Sequence, residues 1–287
     1  MIKLIAADMD GTLIGNNGCI SEENIKAVKK AQRKGIKFAI ATGRALCDVT
    51  DILKQYNLKC DTLIMNGAQY LNEDGEVISS TYIKKEKVKD IIEAMKYDNI
   101  CIEIYTDNGF FTQNTPEETL TSMIRRVSKF HPEIPEEKHI ENAKNNVHYK
   151  NMQYIKDIDE FTCNNNIAKF ISFADDVEVI HKIEKRLNKI DGLAVAGSFA
   201  TNVEVNDENA VKGKILLKAA EKYNIKREEV AVLGDGMNDY SMFEEFPCSF
   251  AMDNAVPEIK SISKYITDSN INDGVAKAIY RILDENL

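Results

Sequence analysis

A chain of 287 residues with 44% hydrophobic and 29% charged content has the make-up of an ordinary globular protein, long enough for about two domains. Its net charge of -9 and pI near 5.2 argue against nucleic acid or an anionic membrane as partner. No apolar run approaches the roughly 20 residues that cross a bilayer, and no charged-then-apolar leader precedes the first strand, so a cytoplasmic protein is expected.

The chain begins with an apolar run, Leu4-Ile5-Ala6-Ala7, which reads as a strand buried on both faces. It stops at Asp8-Met9-Asp10-Gly11, where Asp10-Gly11 is a turning signal. Side chains two apart on a strand share a side, so Asp8 and Asp10 are expected to project together. Two carboxylates that close either raise one pKa or require a cation. Ser21 can N-cap a helix that carries Glu22 and Glu23 in its first turn and Ile25, Val28 and Ala31 on one face, with Gly35 placed to end it. A strand at residues 36–41 ends at Thr42-Gly43-Arg44, a helix carries Leu46, Val49, Leu53 and Tyr56, and a short strand at 62–65 ends at Asn66-Gly67-Ala68. Alternating strands and helices with short joins predict a parallel sheet, whose ligand sits beyond the C-terminal strand ends. Asp8, Asp10, Thr42, Gly43 and Asn66 all fall at that edge.

From residue 68 to about 83 the pattern is a hairpin turning through Asn72-Glu73-Asp74-Gly75. An amphipathic helix over 84–97 follows, then Ile100, Ile102 and Ile104 alternate with Cys101, Glu103 and Tyr105, the period of a sheet with one wet face. Asp107-Asn108-Gly109 marks a hairpin turn, and Thr115-Pro116-Glu117-Glu118 opens a helix with a capping box. Residues 131–150, with Pro132, Pro135 and many charges, are expected to form a long surface loop. Strands at 152–155, 167–173 and 193–196 and a helix near 177–188 complete an antiparallel α+β pattern. Residues 82–200 are therefore read as a domain inserted into a core formed by 1–81 and 201–287. The core pattern resumes with a strand at Asn202-Val203-Glu204-Val205, a helix opening at Lys212-Gly213, and a buried strand at 230–233. That strand ends at Gly234-Asp235-Gly236-Met237-Asn238-Asp239, and strands near 248–251 and 265–267 and a last helix from Gly274 follow.

The six cysteines form no Cys-x-x-Cys pair and are expected to be reduced thiols. The four histidines, at 131, 139, 148 and 181, show no ligand spacing and leave both flanking segments without histidine. Chemistry on those segments must use carboxylates as acid and base. Lys212 at a helix start is either a solvated lysine or, with the helix end, an anion holder. Oxygen ligands from Asp8, Asp10 and Asp235 suit a hard cation such as magnesium. Magnesium and Lys212 would offset the charge of a bound phosphate.

Asp8-Met9-Asp10-Gly11-Thr12, Ala41-Thr42-Gly43-Arg44, Lys212-Gly213 and Gly234–Asp239, in that order, resemble the four motifs of the haloacid dehalogenase superfamily. The large insert between the second and third resembles the Cof-type phosphatases, and Asn66-Gly67-Ala68 and Asp273-Gly274-Val275-Ala276 are also similar. The resemblance implies a Rossmann-like α/β core with an α+β cap, and a magnesium-dependent phosphatase acting on small phosphate monoesters such as sugar phosphates, nucleotides or phosphorylated cofactors. In that scheme Asp8 attacks phosphorus and Asp10 is the acid and base. Asp8, the Asp10 carbonyl and Asp235 hold the metal, and Asp239, Arg44 and Asn66 support the loops. Thr42, Gly43, Lys212, Asn238 and the Met9 amide hold the phosphoryl oxygens. The cap is expected to close over the site and select the leaving group, and the protein to be a monomer or weak homodimer. A phosphomutase and a non-catalytic phosphate-metabolite sensor are the alternatives.

Overall fold

The computed structural model describes every residue except 17, 131, 132, 134, 198 and 199. Its strands, in chain order, are β1 (Leu4–Asp8), β2 (Lys37–Ala41), β3 (Asp61–Ile64), β4 (Gln69–Leu71), β5 (Val77–Ser80), β6 (Ile102–Thr106), β7 (Gly109–Thr112), β8 (Met152–Tyr154), β9 (Ile167–Phe173), β10 (Leu193–Ala196), β11 (Asn202–Asp207), β12 (Val230–Gly234), β13 (Cys248–Ala251) and β14 (Tyr265–Ile266). They form an eight-stranded sheet, ordered β14-β13-β12-β1-β2-β3-β4-β5, and a six-stranded sheet, ordered β10-β11-β9-β6-β7-β8. The chain divides into two compact units, Met1–Thr81 with Asn209–Leu287, and Tyr82–Glu208.

In the first unit the strands from β14 to β3 are parallel, and the β4–β5 hairpin extends the sheet antiparallel. Every residue of β1 and β12 is buried, as continuous apolar strands covered on both faces must be. The helix Glu22–Arg33 starts where its sequence predicts, with Ser21 Oγ accepting from Asn24 N at 3.1 Å. It packs on the last helix, Gly274–Asp284, through buried Asn24, whose Oδ1 accepts from Ala276 N at 2.9 Å and whose Nδ2 donates to Leu13 O at 3.4 Å.

In the second unit the helices Val88–Met95 and Val177–Leu187 cover one sheet face, burying Ile91, Met95, Ile180, Ile183 and Leu187 against Ile104, Phe170, Val203 and Val205. The alternate residues carry ion pairs, the buried Lys169–Glu204 within the sheet and Glu103 with the partly buried Arg126 of the helix Pro116–Phe130, both at 2.7 Å. The capping box at Thr115 forms as expected: Glu118 N donates to Thr115 Oγ1 at 3.2 Å and Thr115 N to Glu118 Oε2 at 2.9 Å. The sheet is not wholly antiparallel, because β7 and β8 run parallel.

Two expectations need correction. Residues 131–150 are not one long loop: Glu136–Asn145 and Val147–Lys150 are helices, while His131 and Pro132 lie outside the described residues. The first of these helices buries Ala143 but leaves Ile140 half exposed, so its apolar stripe is too thin to read. The strand at Asn202 does not resume the core. It pairs with β9 and β10 in the second sheet, and the first unit resumes only at Asn209. Asn202, Glu204 and Asn206 alternating with Val203 and Val205 is a one-faced pattern, which belongs to the sheet with a polar side.

Candidate active site

Five adjacent parallel strands of the first unit end at the same sheet edge, and each delivers polar groups there. Asp8 is the last residue of β1, and its Oδ1 accepts from Lys212 Nζ at 2.6 Å. The same ammonium donates to Asp239 Oδ1 at 2.7 Å, and the Lys212 side chain is completely buried. Lys212 is therefore not a solvated lysine at a helix start. Burial works against its charge, but Asp239 and Asp8 outweigh that and hold its pKa above the usual lysine value. The helix end is also partly spent, since Gly213 N donates to Ser241 Oγ at 3.0 Å.

The loop after β12 is built around Asp239. Its Oδ2 accepts from Asp235 N at 3.0 Å and Gly236 N at 3.1 Å, so both carboxylate oxygens are engaged and the loop is closed from within. Asp235 is left with one protein donor among the described residues, the Thr12 hydroxyl at 2.7 Å. Burial, with Asp239 nearby, pushes the Asp235 carboxyl up to about 6 despite Thr12. Asp8 is likewise raised well above the ordinary aspartate value, by burial first and then by Asp239 and Asp235, with Lys212 opposing. Gly11 has φ +86, and a Cβ there would lie 2.9 Å from both Asp235 Cγ and Oδ1, so glycine lets the two loops meet.

Asp8 and Asp10, expected to project together, have different ionic partners. The strand ends at Asp8, so its two-residue alternation no longer applies at Asp10. Asp8 is 4% exposed and pairs with Lys212, whereas the Asp10 side chain is 54% exposed and bonded to Arg44. The carboxylate oxygens lying within 4.8 Å of one another come from Asp8, Asp235 and Asp239, with Asp10 outside the group. Three carboxylates facing one ammonium leave an excess of buried negative charge, and the all-oxygen donor set fits a hard divalent cation. Because Asp239 is committed to Lys212 and the loop amides, Asp8 and Asp235 are the side chains free to hold it.

At the end of β2, Thr42 N donates to Leu63 O at 2.8 Å and Thr42 Oγ1 accepts from Arg44 N at 3.1 Å, leaving the hydroxyl proton to give. Asn66 follows β3 with φ 62 and donates its N–H to Thr42 O at 3.1 Å. A Cβ on Gly43 would lie 2.5 Å from Asn66 Oδ1, so that glycine admits the Asn66 amide. Met9 is buried between Asp8 and Asp10, and Asn238 is exposed on the short turn Met237–Asp239.

Sequence reasoning missed a contribution from the loop after β13. Asn254 Nδ2 donates to Gly11 O at 2.8 Å, and Asn254 Oδ1 accepts from Asn270 N at 2.9 Å. Asn270 Nδ2 in turn donates to Ile14 O at 3.0 Å, so two asparagines far along the chain fix the segment that carries Asp10. Their only signal was position after a strand end in a parallel sheet. Thr12 had no assigned role either, yet it orients Asp235.

Comparison with known proteins agrees with this arrangement. The family described as haloacid dehalogenase-like hydrolase matches residues 5–279. Phosphatase YwpJ of Bacillus subtilis is 31% identical over 98% of this chain and 100% of its own. The 5-amino-6-(5-phospho-D-ribitylamino)uracil phosphatase YwtE of the same species is also 31% identical, over 98% of each chain. The solved structure of a haloacid dehalogenase-like hydrolase from B. subtilis superposes with a TM-score of 0.80 at 30% identity, covering 98% of this chain and 100% of that one. Among the described residues no helix is long and apolar enough to cross a membrane. With motifs, sheet topology and relatives in accord along its length, the chain belongs to the haloacid dehalogenase-like hydrolases.

Proposed function

We propose that this hydrolase is a magnesium-dependent phosphatase that releases inorganic phosphate from small phosphate monoesters through an aspartyl-phosphate on Asp8. The observation that carries the reading is the fully buried Lys212 ammonium shared by Asp8 and Asp239, with Asp235 alongside. A carboxylate held by a buried cation at a strand end is fixed in place, and its oxygen not bonded to Lys212 is left for the reaction.

In the first step that Asp8 oxygen bonds to phosphorus as the bond to the leaving oxygen breaks, and Asp10 gives its proton to that oxygen. In the second step water attacks phosphorus, Asp10 takes the water's proton, and the bond between Asp8 and phosphorus breaks. Thr42, Gly43, Asn238 and the Met9 amide hold the phosphoryl oxygens, and Lys212 offsets their charge. Magnesium, held by Asp8, Asp235 and the Asp10 carbonyl, supplies charge neutralisation at the phosphoryl group when bound. Asp239, Arg44 and Asn66 act on the loops rather than on the substrate. The inserted second unit discriminates among leaving groups.

Phosphate release across a panel of small monoesters, with magnesium and with chelator, tests this. The panel should include 5-amino-6-(5-phospho-D-ribitylamino)uracil, given the name of one relative. Release that needs magnesium and vanishes in Asp8→Asn is expected. Activity like the wild type in that variant would refute Asp8 as nucleophile, and no release from the folded protein would favour a mutase or sensor.

A further inference from the structure

The pairing of Arg44 with Asp10 has no stability rationale. The two side chains are 37% and 54% exposed, and ion pairs that exposed contribute about 0–1 kcal/mol. The geometry is nevertheless specific: Arg44 Nε donates to Asp10 Oδ2 at 2.9 Å and Nη2 to Oδ1 at 2.6 Å, a two-pronged contact that fixes both position and plane of the carboxylate. The arginine backbone is itself anchored. Arg44 N donates to Thr42 Oγ1 at 3.1 Å, and Arg44 O accepts from Met65 N at 2.9 Å, tying it to the ends of β2 and β3. Asp10 has no such anchor for its side chain: it lies past the end of β1, and the solvent around it would let it turn freely.

We infer that Arg44 is a positioning residue for Asp10, holding an otherwise mobile carboxylate where it can pass a proton to the leaving oxygen. This rests on the acid and base role proposed for Asp10. Since both Asp10 oxygens accept N–H groups, carrying a proton requires one of the two contacts to open. The fork allows that while the other contact keeps the carboxylate in place. A lysine, with one point of attachment, does so less well.

The leaving group provides the test, because 4-nitrophenolate departs without a proton whereas an alkoxide needs one. kcat/KM reads events up to leaving-group departure, so the ratio of kcat/KM for 4-nitrophenyl phosphate to that for glycerol 2-phosphate isolates proton delivery. In Arg44→Ala the ratio is expected to rise at least about tenfold, part of the roughly 10²–10⁴-fold that general acid catalysis contributes, and to rise less in Arg44→Lys. Asp10→Asn, run beside them, should raise it at least as much, and thermal melts confirm that each variant is folded. A raised ratio in Asp10→Asn with an unchanged ratio in Arg44→Ala overturns the inference alone. So does an equal loss on both esters carried by KM, which marks Arg44 as a phosphate ligand. An unchanged ratio in both variants overturns the Asp10 assignment as well.

Discussion

Asp235→Asn should make the metal-free protein more stable while removing most of its response to magnesium. Asparagine keeps the shape and still offers an oxygen to the Thr12 hydroxyl, which sits 2.7 Å from Asp235 Oδ1, so the change removes charge and little else. The folded-state carboxyl lies at about 6 against an ordinary 3.8. A raised acid favours the protonated form in the folded state. Its contribution is therefore most favourable below about pH 4, is lost as pH rises through 6, and is a constant penalty above that. Two pH units at about 1.4 kcal/mol each give a penalty near 3 kcal/mol, reduced to about 1–2 by the partial exposure of the site. For a protein of this size that is a rise in melting temperature of roughly 2–6 °C at pH 7.5 in chelator. Wild type should recover about 2.7 kcal/mol at a magnesium concentration a hundredfold above Kd, and the variant a small part of it. Calorimetric melts of both proteins, in chelator and in magnesium from pH 5 to 8, measure all of this. The magnesium gain of wild type should grow with pH across the same window in which its chelator stability falls. A variant that melts below wild type in chelator, or gains as much from magnesium, would refute the account of these carboxylates.

Three other outcomes follow from the same packing. Lys212→Met keeps most of the buried volume but leaves the Asp8 and Asp239 carboxylates without their cation, so it should cost about 3–5 kcal/mol in a denaturant titration. The folded fraction should turn over about 10²–10³-fold more slowly, and a loss below tenfold would leave Lys212 a purely structural role. Gly11→Ala forces a side chain into a backbone of φ +86 and against Asp235, so it should cost about 1–3 kcal/mol and weaken the magnesium response in the same melts. Thr115→Ala, in the second unit, removes one half of a capping box and should lower stability by about 1 kcal/mol with phosphate release within twofold of wild type.

Much of the site was legible because its chemistry sits at strand ends, where short apolar runs meet Asp, Thr, Gly and Asn. The β1 run stopping at Asp8 and the β12 run stopping before Asp235 both announce where polar groups enter a parallel sheet. The second unit was harder to read. Its helix over 136–145 carries almost no apolar stripe, and β11 reads as a core strand by its place before Lys212, although its alternation of polar and apolar residues fits the second sheet. Asn254 and Asn270 were invisible because an asparagine after a strand is ordinary, and only contact with Gly11 and Ile14 gives them a task.

The amino-acid order alone determined that the chain builds a parallel α/β sheet, that carboxylates and a threonine gather at one edge of it, and that the segments forming that edge contain no histidine. Those are matters of local pattern and strand direction, which act over a few residues. The tertiary structure alone decided which cation each aspartate meets. Lys212 stands 204 positions from Asp8 and Arg44 stands 34 from Asp10, so only the packed sheet brings them together. Burial then decides the rest, because the same aspartate side chain is held above its ordinary pKa at Asp8, by burial first with Asp239 and Asp235 adding, and stands half exposed beside Arg44 at Asp10.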